Sequence, residues 1–346
     1  MTKTTDGRGR IQITGFDADE VKEREPLSDW QETSGGEAVG RWTRVWERFK
    51  RNRTALIGLT IVAVMSLLAI FARPVEVMGL TVQPISLAPY PPEEILWIRH
   101  DVSQNTPPSW SHPMGIDGEA RDVFSRVLAG GRYSISIGFV VVAITGTIGL
   151  VYGSISGYFG GWIDEVMMRI VDMILAFPAL ILAMIIVSMF GGGYWQLVAA
   201  FTIFGWATYA RLMRGEVLKI KENEYVMAAK ALGARDRLVI FRHIVPNAVP
   251  PLIVYATLQI GTVVIGVAAL GFLGLGMDPG TAEWGTMLEN GRNAIIPGPG
   301  GDIRWWITVF PGAAIFLFVM SMNMIGDGVN DALDAQETGV AGGGDK

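Results

Sequence analysis

Cysteine is absent from all 346 residues, which removes disulfide frameworks, thiolate metal sites and cysteine nucleophiles together. Histidine is nearly as scarce. His100, His112 and His243 are the three present, and no pair stands four apart with a glutamate between, so the zinc-protease pattern is missing. The 43 glycines include no Gly-Lys pair. No phosphate-binding GxxxxGK[ST] loop can therefore be built, and the chain is not expected to be an enzyme or to bind a cofactor. The stretch Gly153 to Gly157 resembles a nucleophile elbow only in its outer glycines, because Ile155 stands where the serine would be.

What the sequence has in excess is apolar surface. Half of its residues are hydrophobic and only 18% are charged, and the apolar residues cluster into runs of ~18 or more, long enough to cross a ~30 Å hydrocarbon layer as helices. Six spans are expected, at about 55–72, 134–157, 170–190, 195–212, 250–275 and 306–326. The first is preceded by Arg41, Arg44, Arg48, Lys50, Arg51 and Arg53, which places the amino terminus in the cytoplasm by the positive-inside rule. Counting from there returns the second basic stretch, from Arg211 through Lys219, Lys221, Lys230, Arg235 and Arg237 to Arg242, to the same side. The carboxy terminus is then cytoplasmic too.

The expected organisation is a solvated, partly disordered cytoplasmic tail over 1–40, carrying Asp17, Asp19, Glu20, Glu23, Glu25, Asp29, Glu32 and Glu37. A basic flank and first span follow over 41–72. A proline-rich extracellular loop covers 73–132, a core with five spans covers 133–335, and a flexible tail covers 336–346. The fold class is all-α: a polytopic membrane protein with a short cytoplasmic helix between its fourth and fifth spans.

Gly149, Gly153, Gly157 and Gly161 recur every fourth residue, a spacing that lets a neighbouring helix approach closely. Such a stripe serves helix packing or lines a solute path. Pro178 and Pro311 interrupt apolar runs and should bend them. Asp172, near Arg169, is expected at an interface as a cap or salt bridge. In the second basic stretch, helix formers run from Glu224 to Leu232, and Gly233 is placed for a left-handed cap. Tyr225, Ala228, Ala229 and Leu232 share one face. At ~15 Å this helix is too short to span a bilayer. Its small apolar face suits a groove on a partner protein better than lipid, although the pattern alone does not decide for docking.

The stretch from Glu224 to Asn247, with Ala228-Ala229, Gly233 and Ile244-Val245-Pro246-Asn247, resembles the EAA-loop region of binding-protein-dependent ABC importer permeases. Met227 stands where that loop usually carries glutamate. Further segments resemble the C-type subunit of dipeptide and oligopeptide importers: His112 to Asp117, Arg121 to Arg126, Phe272 to Gly276, Glu283-Trp284-Gly285 and Asn323 to Asp334. Ala120 replaces a usual glycine, and Asn330 a usual arginine. The resemblance implies that Glu224, Tyr225, Ala228, Ala229, Leu232 and Gly233 form an ATPase-coupling helix. It also implies a second homologous permease subunit, two ABC ATPase subunits that use the ATP, and an extracellular substrate-binding protein. The implied cargo is di- or oligopeptide, with nickel or another small solute as the alternative. An ion-coupled secondary transporter would call for intramembrane acids and an inverted repeat, and neither is evident. No nucleic-acid partner is expected.

Overall fold

The computed structural model describes residues 3–5, 11–13, 41–77, 80–100, 102–278, 280–296 and 303–341. The chain divides into two compact units, Met1–Glu47 and Arg48–Lys346. The first contains strands β1 (Lys3–Thr5) and β2 (Ile11–Ile13), paired antiparallel. The acidic residues assigned to the amino-terminal tail lie outside the described residues. Helix α1 (Arg41–Phe49) carries the basic flank.

The second unit begins with α2 (Arg53–Phe71). Asn52 caps it, its Oδ1 accepting from the Ala55 amide at 3.1 Å, while its Nδ2 donates to Asp331 at 3.0 Å. The proline-rich connection then holds a small hairpin, β3 (Val75–Val77) with β4 (Leu80–Gln83), and a short helix α3 (Leu96–His100). Helix α4 (Val123–Phe159) starts well before the expected span, because Asp122 is a strong N-cap whose carboxylate accepts from the Ser125 amide at 2.8 Å. Helices α5 (Gly161–Leu175) and α6 (Ala179–Phe190) follow, then α7 (Tyr194–Lys221), α8 (Glu224–Ala231) and the single turn α9 (Asp236–Leu238). A π-turn over Val239–Ile244 leads into α10 (Val245–Phe272), followed by α11 (Trp284–Gly291) and α12 (Trp306–Ala341).

The fold is all-α and polytopic apart from the two small hairpins, with fewer long apolar helices among the described residues than the six expected spans. Among the described residues four helical runs are long and apolar enough to cross a membrane: Arg53–Phe71, Val123–Phe159, Asp236–Phe272 and Trp306–Leu333. A fifth is possible if α5 and α6, bent by 77° across their break, act as one span. Pro178 begins α6 there; it has no amide proton to continue the ladder of α5. The expected fourth span falls in α7, whose Gln196, Thr202, Thr208, Arg211 and Arg214 make it too polar to qualify. Helix α12 runs on to Ala341. Residues 342–346 lie outside the described part.

The core is centred on α4 packed along α7, with α10 and α12 closing around it. Ile137, Val141, Met213, Val217, Val267 and Phe318 are among its buried side chains. Large apolar residues on the outer surfaces of α2 and α6, such as Leu67 and Met189, remain uncovered, as befits helices whose surroundings are lipid rather than water.

Candidate functional site

Helix α8 is built by local rules. Asn223 enters in an extended conformation, Glu224 puts a negative charge in the first turn, and three alanines supply propensity. It stops in a Schellman arrangement. Gly233 has φ +79°, its amide donates to the Lys230 carbonyl at 2.9 Å, and the Ala234 amide reaches back to Ala229 at 3.1 Å. A side chain with a Cβ would strain that left-handed position.

One side chain anchors the helix. Val226 is fully buried, packed in the core cluster with Val239 and Ile244 of the π-turn. Sequence reasoning passed over Val226, although a β-branched residue in an alanine-rich stretch was the available signal. On the opposite side Tyr225, Met227, Ala228 and Leu232 are exposed, Leu232 to 88%. Ala229, expected on the same face, lies half-buried at its edge. Tyr225 leans on the segment that follows: Asn247 Nδ2 donates to Tyr225 Oη at 3.3 Å and to the His243 carbonyl at 2.7 Å. Met227 presents an apolar thioether to the outside where a carboxylate was the usual residue.

Behind α8 stands the end of α4. The ammonium of Lys230 lies 4.3 Å from the centroid of the Tyr158 ring. Tyr158 is buried, and its hydroxyl donates to the carboxylate of Asp236. One turn further back begins the glycine stripe. A Cβ on Gly149 would sit 2.3 Å from Tyr209 Cβ, one on Gly153 2.4 Å from the Ala210 carbonyl, and one on Gly157 2.9 Å from Val217 Cβ. These three form a close seam with α7. Gly161 does not join them. Helix α4 has already ended at Phe159, so the four-residue period no longer describes a helical face, and Gly161 (φ +56°) sits at the corner into α5 with open space around it.

Charged groups lock the same end of the bundle. Arg214 grips Asp164 through both guanidinium arms, each at 2.6 Å, and Ser156 donates to the same carboxylate at 2.5 Å. Asp172 pairs with Arg211 of α7 at 2.6 Å rather than with Arg169, because α5 turns that carboxylate toward α7.

At the other end of α4, roughly 55 Å away by helical rise, a second group of polar residues is buried. His112 Nδ1 lies 3.0 Å from Asp122 Oδ1. Arg126 donates to the carbonyls of Pro92 at 2.8 Å and Gly280 at 3.1 Å. Glu283 accepts from Ser134 at 2.8 Å and caps α11 through the Thr286 amide at 2.9 Å. Between the two ends, α4, α6, α7 and α10 surround a cavity of about 330 Å³, largely apolar but lined also by Thr145, Tyr209, Gln259 and Thr262. Its size and mixed lining suit a small organic solute.

Residues 149–338 match the family described as binding-protein-dependent transport system inner membrane component. The chain belongs to that family. Residues 40–108 of this permease also match the N-terminal TM domain of oligopeptide transport permease C. The permease is 38% identical over 298 residues to the glutathione transport system permease protein GsiD of Escherichia coli O6:K15:H31 (strain 536 / UPEC), which covers 86% of this chain and 91% of that one. It is 39% identical over 297 residues to the dipeptide transport system permease protein DppC of Alkalihalophilus pseudofirmus, covering 86% and 90%. Among solved structures, the crystal structure of an amino acid ABC transporter with histidines has a TM-score of 0.44 at 17% identity, covering 62% of this chain and 94% of that one. As a member of this family the permease is a multi-pass component of an inner membrane transport system. The family match takes in the glycine seam, α8 and most of α12.

Proposed function

We propose that this permease imports short peptides and that α8 is where an ATPase subunit docks. The observation that carries the docking reading is the uncovered face of α8 (Tyr225, Met227, Ala228 and Leu232) on a helix held from behind by Val226 and closed by the Gly233 cap. A short helix with that exposure is shaped to enter a groove on another protein. The peptide reading draws support from relatives named for glutathione and dipeptide transport, both of which are peptide cargoes, and from the match to oligopeptide permease C. In this reading a second homologous permease completes the pathway, two ATPase subunits hydrolyse the ATP, and an extracellular binding protein delivers the peptide to the side opposite α8. The basic stretch and both termini are cytoplasmic.

Two experiments test this. In vesicles containing the whole complex, Ala229→Asp sets a charge at the edge of the docking face, where its desolvation costs ~2–3 kcal/mol. Labelled dipeptide uptake should fall at least tenfold while the subunit keeps its abundance; unchanged uptake with the variant verified in the complex would refute docking through α8. Orientation is read with single thiols in the cysteine-free chain. Gln104→Cys should react with an impermeant maleimide in intact cells, and Arg237→Cys only after permeabilisation. The reverse pattern would invert the topology.

A further inference from the structure

We infer that Tyr158 is the positioning residue that ties the docking helix to the transport core, so that movement of α8 becomes movement of α4. This rests on the reading of α8 as the ATPase-docking helix. Tyr158 lies in the last turn of α4, one residue before its end, and two separate groups converge on it. Lys230, from the last turn of α8, places its ammonium 4.3 Å from the ring centroid. Asp236, the first residue of α9, accepts the phenolic hydroxyl. Lys230 and Asp236 stand on opposite sides of the left-handed turn at Gly233. One ring therefore holds both arms of the α8–α9 hairpin.

The ring is buried while Lys230 and Asp236 are exposed, so both groups reach in from the surface to one fixed ring. What the ring is attached to matters equally. One residue before it is Gly157, the last of the three glycines at which α4 touches α7 without an intervening side chain. Close backbone contact of this kind couples a displacement of one helix to the other. Further along, α4 supplies Val141 and Thr145, and α7 supplies Phe201, Gly205 and Tyr209, to the wall of the 330 Å³ cavity. A displacement of α8 is thus passed through Tyr158 to two of the four helices that line the cavity. Apart from this link, α8 is held mainly by Val226 and by contacts to the π-turn and to Asn247, which belong to the entry of α10.

The test uses the intact complex in vesicles and reads two quantities: ATP hydrolysed and labelled dipeptide imported. Tyr158→Leu removes both attachments and should lower uptake at least tenfold while ATP hydrolysis falls no more than twofold. Tyr158→Phe keeps the ring under Lys230 but loses the hydroxyl, and should raise the ratio of ATP to dipeptide by two- to fivefold. Asp236→Asn still offers an oxygen to the hydroxyl and should behave as wild type, whereas Asp236→Leu should match Tyr158→Phe. A merely structural role would reduce assembly, hydrolysis and uptake in proportion, and that result would overturn the inference. So would an unchanged ratio in Tyr158→Leu. Ala229→Asp separates the two ideas. If it transports normally, docking through α8 fails; if it is inactive while Tyr158→Leu stays coupled, only the linkage fails.

Discussion

The α4–α7 seam and the α8 hairpin are both rich in small residues, yet their surroundings are opposite. At Gly149, Gly153 and Gly157 the space a side chain would need is already occupied by α7. At Ala228 it is open, and Leu232 beside it is almost wholly exposed. In the seam, smallness is consumed inside the subunit, where close backbone approach substitutes for the hydrophobic drive that lipid does not provide. In the hairpin, smallness is left outside the subunit. A leucine held in the open by a well-formed cap adds no burial to this chain, which is consistent with the proposed docking surface.

That contrast can be broken at either end. The largest effect on folding is expected from Gly153→Leu, whose new side chain meets the Ala210 carbonyl and Met213 Cβ. Forcing α4 from α7 should cost ~3 kcal/mol or more, and detergent size-exclusion should show at least a tenfold drop in monodisperse protein. A normal yield would mean that the seam is not as close as the geometry states. Val226→Ala removes two buried methyl groups from the anchor of α8 and should cost ~1–2 kcal/mol. Because the helix is peripheral, the loss should appear as faster amide exchange over 224–231 with little change elsewhere. Ala229→Asp lies at the small end of this scale: no measurable change in thermal stability of the isolated subunit, in contrast to its predicted loss of uptake in the complex. A stability loss as large as that of Gly153→Leu would place Ala229 in the interior and remove the distinction between the two regions.

The sequence alone was enough for the class of molecule. Apolar run length depends only on composition along the chain, and the short helix ending at Gly233 was legible too, because its propensity and cap are local. The Gly149–Gly157 spacing also announced a close helix contact, but not its partner, and it carried the period too far. Whether Gly161 continues the stripe depends on where α4 ends, and α4 ends at a glycine corner that the four-residue repeat runs straight through.

Other features existed only once distant segments met. Arg211, not the nearby Arg169, reaches Asp172 because α7 folds back along α5. The motif residues around Glu283 and Arg126 are a buried polar network joining α4 to the segment before α11, which no single stretch could show. Span number followed the same division, since hydropathy marks apolar runs, while the 77° break after α5 and the polarity of α7 decide how many cross as single helices. Local rules act through neighbours a few residues apart, whereas the pairing of Tyr158 with Lys230 and Asp236 spans more than seventy residues and comes from the packing of α4 and α7 that brings their ends together.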